Sequence, residues 1–131
     1  MKIYSLLIVS LLIISSCAVP QKTMQPDVDK NSPEYKLQEA QLTLSKGNFQ
    51  GAADLYLLVY KDESIDPVYR EEALFSLGMM HSNDALSIEE YEIALKYLRQ
   101  LTADFPKTQF KEKTNREIRY IRNQIKRLKQ K

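Results

Sequence analysis

The chain has little of what reactive sites are made from. Its 131 residues include one cysteine, one histidine, three glycines and no tryptophan. A lone cysteine excludes an internal disulfide framework and a zinc site built from a cysteine cluster. His81 has no second histidine and no cysteine but Cys17 to work with. Neither a metal centre nor a Cys/His nucleophile can be put together from that pair. Three glycines cannot supply a loop that cradles phosphate. Glu89, Glu90 and Glu92 stand close in sequence, but they read as first-turn carboxylates favouring a helix N-terminus. These absences predict a protein that is not an enzyme and uses no cofactor and no metal.

What is present is ordinary for a folded chain, with 44% hydrophobic and 27% charged residues. The length suits one small domain with accessory segments. Charge is unevenly placed, although the net value is only +2. Residues 18–110 hold nine Lys/Arg against fifteen Asp/Glu, whereas residues 111–131 hold nine against two. Such asymmetry predicts a body and a tail with different partners.

Met1 and Lys2 give a short positive start, followed by an apolar run from Ile3 to Ile14, then Ser15, Ser16 and Cys17. About twelve apolar residues fall short of the roughly twenty that span a bilayer. The pattern is that of a secretory signal, which assigns residues 1–16 as a signal peptide. Ile14-Ser15-Ser16-Cys17 also resembles the bacterial lipobox, an aliphatic residue and two small ones before a cysteine. The resemblance implies that the Cys17 thiol carries a diacylglyceryl group, that the signal is cut before it, and that the new amine is acylated. Ala18 follows where an aspartate would hold such a lipoprotein in the inner membrane, so the outer membrane is expected if the organism has one. Residues 17–33 are then the lipidated cysteine and a tether. Pro20, Pro26 and Pro33 lie there among Gln, Lys, Asp and Asn, with too few apolar residues for a core.

From Ser32 onward the period is helical. Ser32-Pro33 reads as an N-cap with proline in the first turn, and Leu37, Ala40, Gln41 and Leu44 share one face before Gly47. Asn48 caps a second helix with Phe49, Ala52, Leu55, Tyr56 and Val59 inward. Asp66-Pro67 opens a third, with Ala73, Leu74, Leu77, Gly78 and His81 on one face. Ser87-Ile88-Glu89-Glu90 fits a capping box for a fourth through Tyr91, Ala94, Leu95, Leu98, Leu101 and Phe105, which Pro106 stops. A fifth is expected from about Gln109. The fold class is all-α.

A repeat runs through these helices. Phe49, Ala52, Tyr56 and Val59 have the spacing of Tyr91, Ala94, Leu98 and Leu101, and each set follows a helix with a small inner residue, Ala40 or Gly78. Gly47-Asn48-Phe49 with Ala52 and Tyr56, and Leu77-Gly78 with Tyr91, Ala94, Leu98 and Pro106, resemble the tetratricopeptide repeat. The copies lie further apart than that family's period of about 34 residues. Phe105-Pro106-Lys107-Thr108-Gln109-Phe110 is similar to the link between repeats in outer-membrane tetratricopeptide lipoproteins, such as the one in the β-barrel assembly machine. The resemblance implies two helical hairpins over residues 34–110 and a capping helix over 111–131. The function it implies is a protein-binding scaffold or accessory factor of an envelope machine for secretion, pilus assembly, polysaccharide export or outer-membrane assembly. A regulatory lipoprotein that modulates a membrane sensor would have the same architecture.

The repeat maps a partner surface onto Gln41, Leu44 and Ser45 in the first copy and Glu72, Phe75, Met79 and Ser82 in the second. Phe75 and Met79 lie off the Leu74–Leu77–His81 face, so they either meet a ligand or pack beneath the C-terminal helix. In that helix Ile118, Ile121, Ile125 and Leu128 form an apolar stripe that Phe110 and Thr114 extend. It reads first as a cap on the last repeat and next as a coiled-coil strand. In either case Lys126, Arg127, Lys129 and Lys131 are left for an anionic surface. Nucleic acid is not expected, because an exported chain does not meet it.

Overall fold

A computed structural model of the chain describes residues 29–130, and all of its regular elements are helices. They are α1 (Pro33–Ser45), α2 (Phe49–Lys61), α3 (Pro67–Asn83), α4 (Ile88–Asp104) and α5 (Lys111–Leu128). The expected signal peptide over residues 1–16, Cys17, most of the tether and Lys131 lie outside the described residues.

Each start is set by a local rule. The Ser32 side chain accepts the Tyr35 N–H, with Pro33 in the first turn. Asn48 accepts from the Gly51 N–H, and Asp66 from Val68 N–H ahead of which Pro67 presets the turn. At α4 the capping box is complete: Ser87 accepts from the Glu90 N–H, and the Glu90 carboxylate accepts from the Ser87 N–H. Between α1 and α2 the chain reverses through Gly47 at φ 79°, a left-handed conformation that a side chain would strain. The fifth helix begins at Lys111, slightly later than expected. Two tight turns precede it, in which Phe105 O accepts from Thr108 N–H and Thr108 O from Lys111 N–H.

Helices α1 and α2 form one hairpin, and α3 and α4 a second. Each later odd helix packs on both members of the hairpin before it: α3 on α1 and α2, α5 on α3 and α4. One apolar cluster joins Leu37, Ala40, Ala52, Tyr56, Val59, Leu74 and Leu77 across the first three helices, with Leu101 of α4. A second joins Tyr91, Ala94, Leu95 and Leu98 to Ile118 and Ile121 of α5. Phe75 packs against both. Fully burying each such leucine contributes roughly 1.5–3 kcal/mol before entropy is counted.

The hairpin α3–α4 closes tightly at Gly78. A Cβ there would come within 2.4 Å of Leu98 Cδ2, so only glycine lets that leucine lie flat on the α3 backbone. One expected inward position turns outward: Phe49 is 46% exposed. Phe49 is the first residue of α2, where the stripe set by Ala52, Tyr56 and Val59 runs off the end of the core.

Candidate functional site

A concavity with exposed apolar walls lies where the N-terminal end of α2, the C-terminal end of α3 and the N-terminal end of α4 meet. It is a cleft of about 450 Å³ lined by Phe49, Ala53, Met80, His81, Asp84, Glu90 and Ile93, among others. Phe49 and Ile93 are 46% and 41% exposed, and they supply its apolar walls. Met80, 4% exposed, forms part of the floor.

The polar end of the cleft is held by the capping box. Glu90 Oε2 accepts from the Leu86 and Ser87 N–H groups at 2.6 and 3.0 Å. Those two bonds hold its carboxyl below the usual carboxylate range, and His81 adds to the effect. The His81 ring stacks on Tyr97 with centroids 5.5 Å apart. Burial lowers its pKa, and the Glu90 charge pulls the other way. At neutral pH the cleft therefore joins two exposed apolar side chains to an uncharged imidazole and a fixed carboxylate. This arrangement suits binding and holds no nucleophile with a base beside it. Among the described residues no three His, Cys, Asp or Glu side chains converge as a metal site requires. No described helix is long and apolar enough to cross a membrane.

Sequence reasoning missed this cleft. The helical period places Phe49 in the core and gives Ile93 no role. The available signal was Phe49 at the very start of a helix, where an inward face has nothing beneath it.

The surface mapped from the repeat is only partly available. Gln41 and Ser45 are exposed on α1, while Leu44 is half-buried against the first apolar cluster. On α3, Glu72 and Met79 are half-buried, at spacings that keep them on one face. Phe75 stacks on Phe110, with centroids 4.6 Å apart and planes 11° from parallel, so the segment leading into α5 covers one side of it. Ser82 requires a correction as an outward contact. It is 3% exposed, and its hydroxyl donates to Glu117 Oε1 of α5. At these two positions α5 and the segment leading into it occupy the place of a partner.

On α5 the apolar stripe is as read, with Thr114, Ile118 and Ile121 buried and Ile125 and Leu128 half-buried. Lys126, Arg127 and Lys129 are exposed. Elsewhere, Arg70 Nε donates to Tyr60 O at 2.9 Å, and its guanidinium lies over the rings of Tyr60 and Phe105. Tyr60 in turn donates to Asp104 Oδ2 at 2.6 Å, and Tyr69 donates to Glu34. These contacts tie α2 to α4 and α3 to α1, so they read as structural. Comparison of the chain with protein-family models, curated proteins and solved structures gives no match.

Proposed function

We infer that this chain is a lipoprotein of the cell envelope, acylated at Cys17, whose helical hairpins dock a segment of another envelope protein. The observation that carries the reading is the position of the only cysteine, directly behind an apolar run and two serines. The hairpins α1–α2 and α3–α4 are two tetratricopeptide-type repeats in this reading, and α5 caps the second. The way α3 and α5 each rest on the preceding hairpin supports it, as does the close approach of Leu98 to Gly78.

The docking place is the cleft at Phe49 and Ile93. A partner segment suited to it carries an apolar side chain for the walls and a cation facing Asp84 and Glu90. Concave sites that combine apolar walls with few polar groups are the usual form of such pockets. Its role is that of a scaffold or accessory factor of an envelope machine, on the periplasmic face of the outer membrane where one exists.

Two measurements test this. Metabolic labelling with an alkyne fatty acid should mark the wild-type chain and leave Cys17→Ser unmarked. Label retained by the serine variant, or absent from both, removes the anchor. A photocrosslinking residue placed at Ile93 should capture one envelope protein that the same residue at Met79 does not. Capture through Met79 alone moves docking to the face of α1 and α3.

A further inference from the structure

We propose that the outer face of α5 is a second membrane contact, a strip of cations that lies flat on an anionic bilayer surface. The inference rests on the anchoring reading, which keeps the domain near a membrane.

Helical spacing places Arg116, Arg119, Lys126 and Arg127 opposite the buried stripe of Thr114, Ile118 and Ile121, with Arg122 and Lys129 on its flank. All six are exposed. From Arg116 to Lys129 the strip extends roughly 20 Å along the helix axis, at about 1.5 Å per residue. Only two acids occur in α5, and neither interrupts the strip. Glu112 precedes it in the first turn. Glu117 is turned inward, where it accepts from the Ser82 hydroxyl under the helix. The contact that removed Ser82 from the partner surface thus also clears the outer face of its one internal carboxylate.

The form of this surface selects the occupant. A helix flank with its cations spread along it is convex, and the polar dip at its start, beside Asn115, Arg116 and Arg119, is shallow and begins with the acidic Glu112. It offers no groove for the side chains of an acidic peptide. A bilayer presents phosphates on a plane, which long cationic side chains spread along one broad helix face can meet along its length. Arginine adds bidentate geometry toward each phosphate. The body of the chain is acidic, fifteen Asp/Glu against nine Lys/Arg over residues 18–110, so an anionic surface repels it and orients α5 toward the lipid. One lipid group and one polybasic face together give firmer attachment than either alone. The tether does not prevent this, since fifteen residues from 18 to 32 reach about 50 Å when extended.

The test uses the full chain with Asn123→Trp, a position exposed at the centre of the strip in a chain that has no other tryptophan. Its sole thiol, at Cys17, is coupled to a maleimide lipid. That holds the protein on vesicles whether or not a cell acylates it, so a failed anchor and a failed face are told apart. One vesicle set is phosphatidylcholine, the other has roughly 30 mol% phosphatidylglycerol to supply the negative surface potential. Tryptophan emission should shift to the blue and be quenched by brominated lipid on the anionic vesicles alone, and high salt should reverse both. Each surface cation contributes about fivefold, so Arg116→Gln/Arg119→Gln/Arg127→Gln should lower the ratio of docked to free α5 on the order of a hundredfold. Equal emission on both vesicle sets overturns the proposal. So does displacement from anionic vesicles by polyglutamate at matched charge, which would assign the strip to an acidic protein.

Discussion

The two hairpins solve one problem, the close crossing of paired helices, with different residues. In α1–α2, helices of 13 residues each, Ala40 and Ala52 are both fully buried in a shared apolar cluster. In α3–α4 the helices have 17 residues, and Leu98 lies on the bare backbone of Gly78. Small side chains on both helices of the first hairpin leave some room for adjustment. Leucine on glycine gains apolar contact but leaves none, since even one methyl at position 78 would overlap Leu98. The second crossing is therefore the more brittle of the two, and it also carries α5.

The largest expected effect is from Leu98→Ala. It empties a site at 0% exposure and should cost about 2–5 kcal/mol in urea unfolding. Made in a Gly78→Val background, the same change should cost less, because the valine fills the space that the leucine leaves. Equal losses in both backgrounds would show that the two side chains do not share that space. Ala94→Leu comes next. Ala94 is also at 0% exposure, and overpacking there should cost about 1–3 kcal/mol. An unchanged melting temperature would show that α4 can move away.

Ser87→Ala removes the cap at the start of α4 and should cost about 1 kcal/mol, measured by thermal unfolding. Acid should act in the same region. His81 has its pKa below its ordinary value, so the unfolded chain takes up the proton first. Stability from this group is complete above about pH 6.5 and is lost as pH falls below it. Glu90, whose pKa is also lowered, adds a second loss of the same sign lower in the carboxylate range. His81→Gln should abolish the first decline in melting temperature and leave the second. The smallest effect is from Gly51→Ala. A methyl there crowds the Asn48 side chain and disturbs its cap, a loss of about 1 kcal/mol that the better helix propensity of alanine offsets by a similar amount, so the net change in stability should be less than about 0.5 kcal/mol. A loss as large as that from Ala94→Leu would mean the first hairpin is no more tolerant than the second.

Much of this fold is legible in sequence because its signals are local. Ser32, Asn48, Asp66 and Ser87 each cap a helix within three residues of themselves, and the stripes through Leu37, Tyr56, Leu74, Leu98 and Ile121 need only the helical period. The misreadings arise where a third helix decides. Ser82 faces α5, Phe110 stacks on Phe75, for which the sequence leaves both groove and core open, and Met80, seven residues after Ala73, is buried although the expected face does not include it. A helix such as α3, apolar over most of its circumference, does not declare which arc its neighbours will cover. The cleft was hidden for a related reason. Its walls come from three helix ends that only tertiary packing brings together.

The order in which helices touch has a kinetic consequence. Backbones come close only between helices one or two places apart along the chain, never between α1 and α4 or α5. Loops closed during folding are therefore short, and the entropy lost in closing each one is small. Chains of this kind reach the native state in about microseconds to milliseconds. Deleting α5 should leave the folding rate of the first hairpin nearly unchanged and mainly speed unfolding, as contacts made after the transition state do.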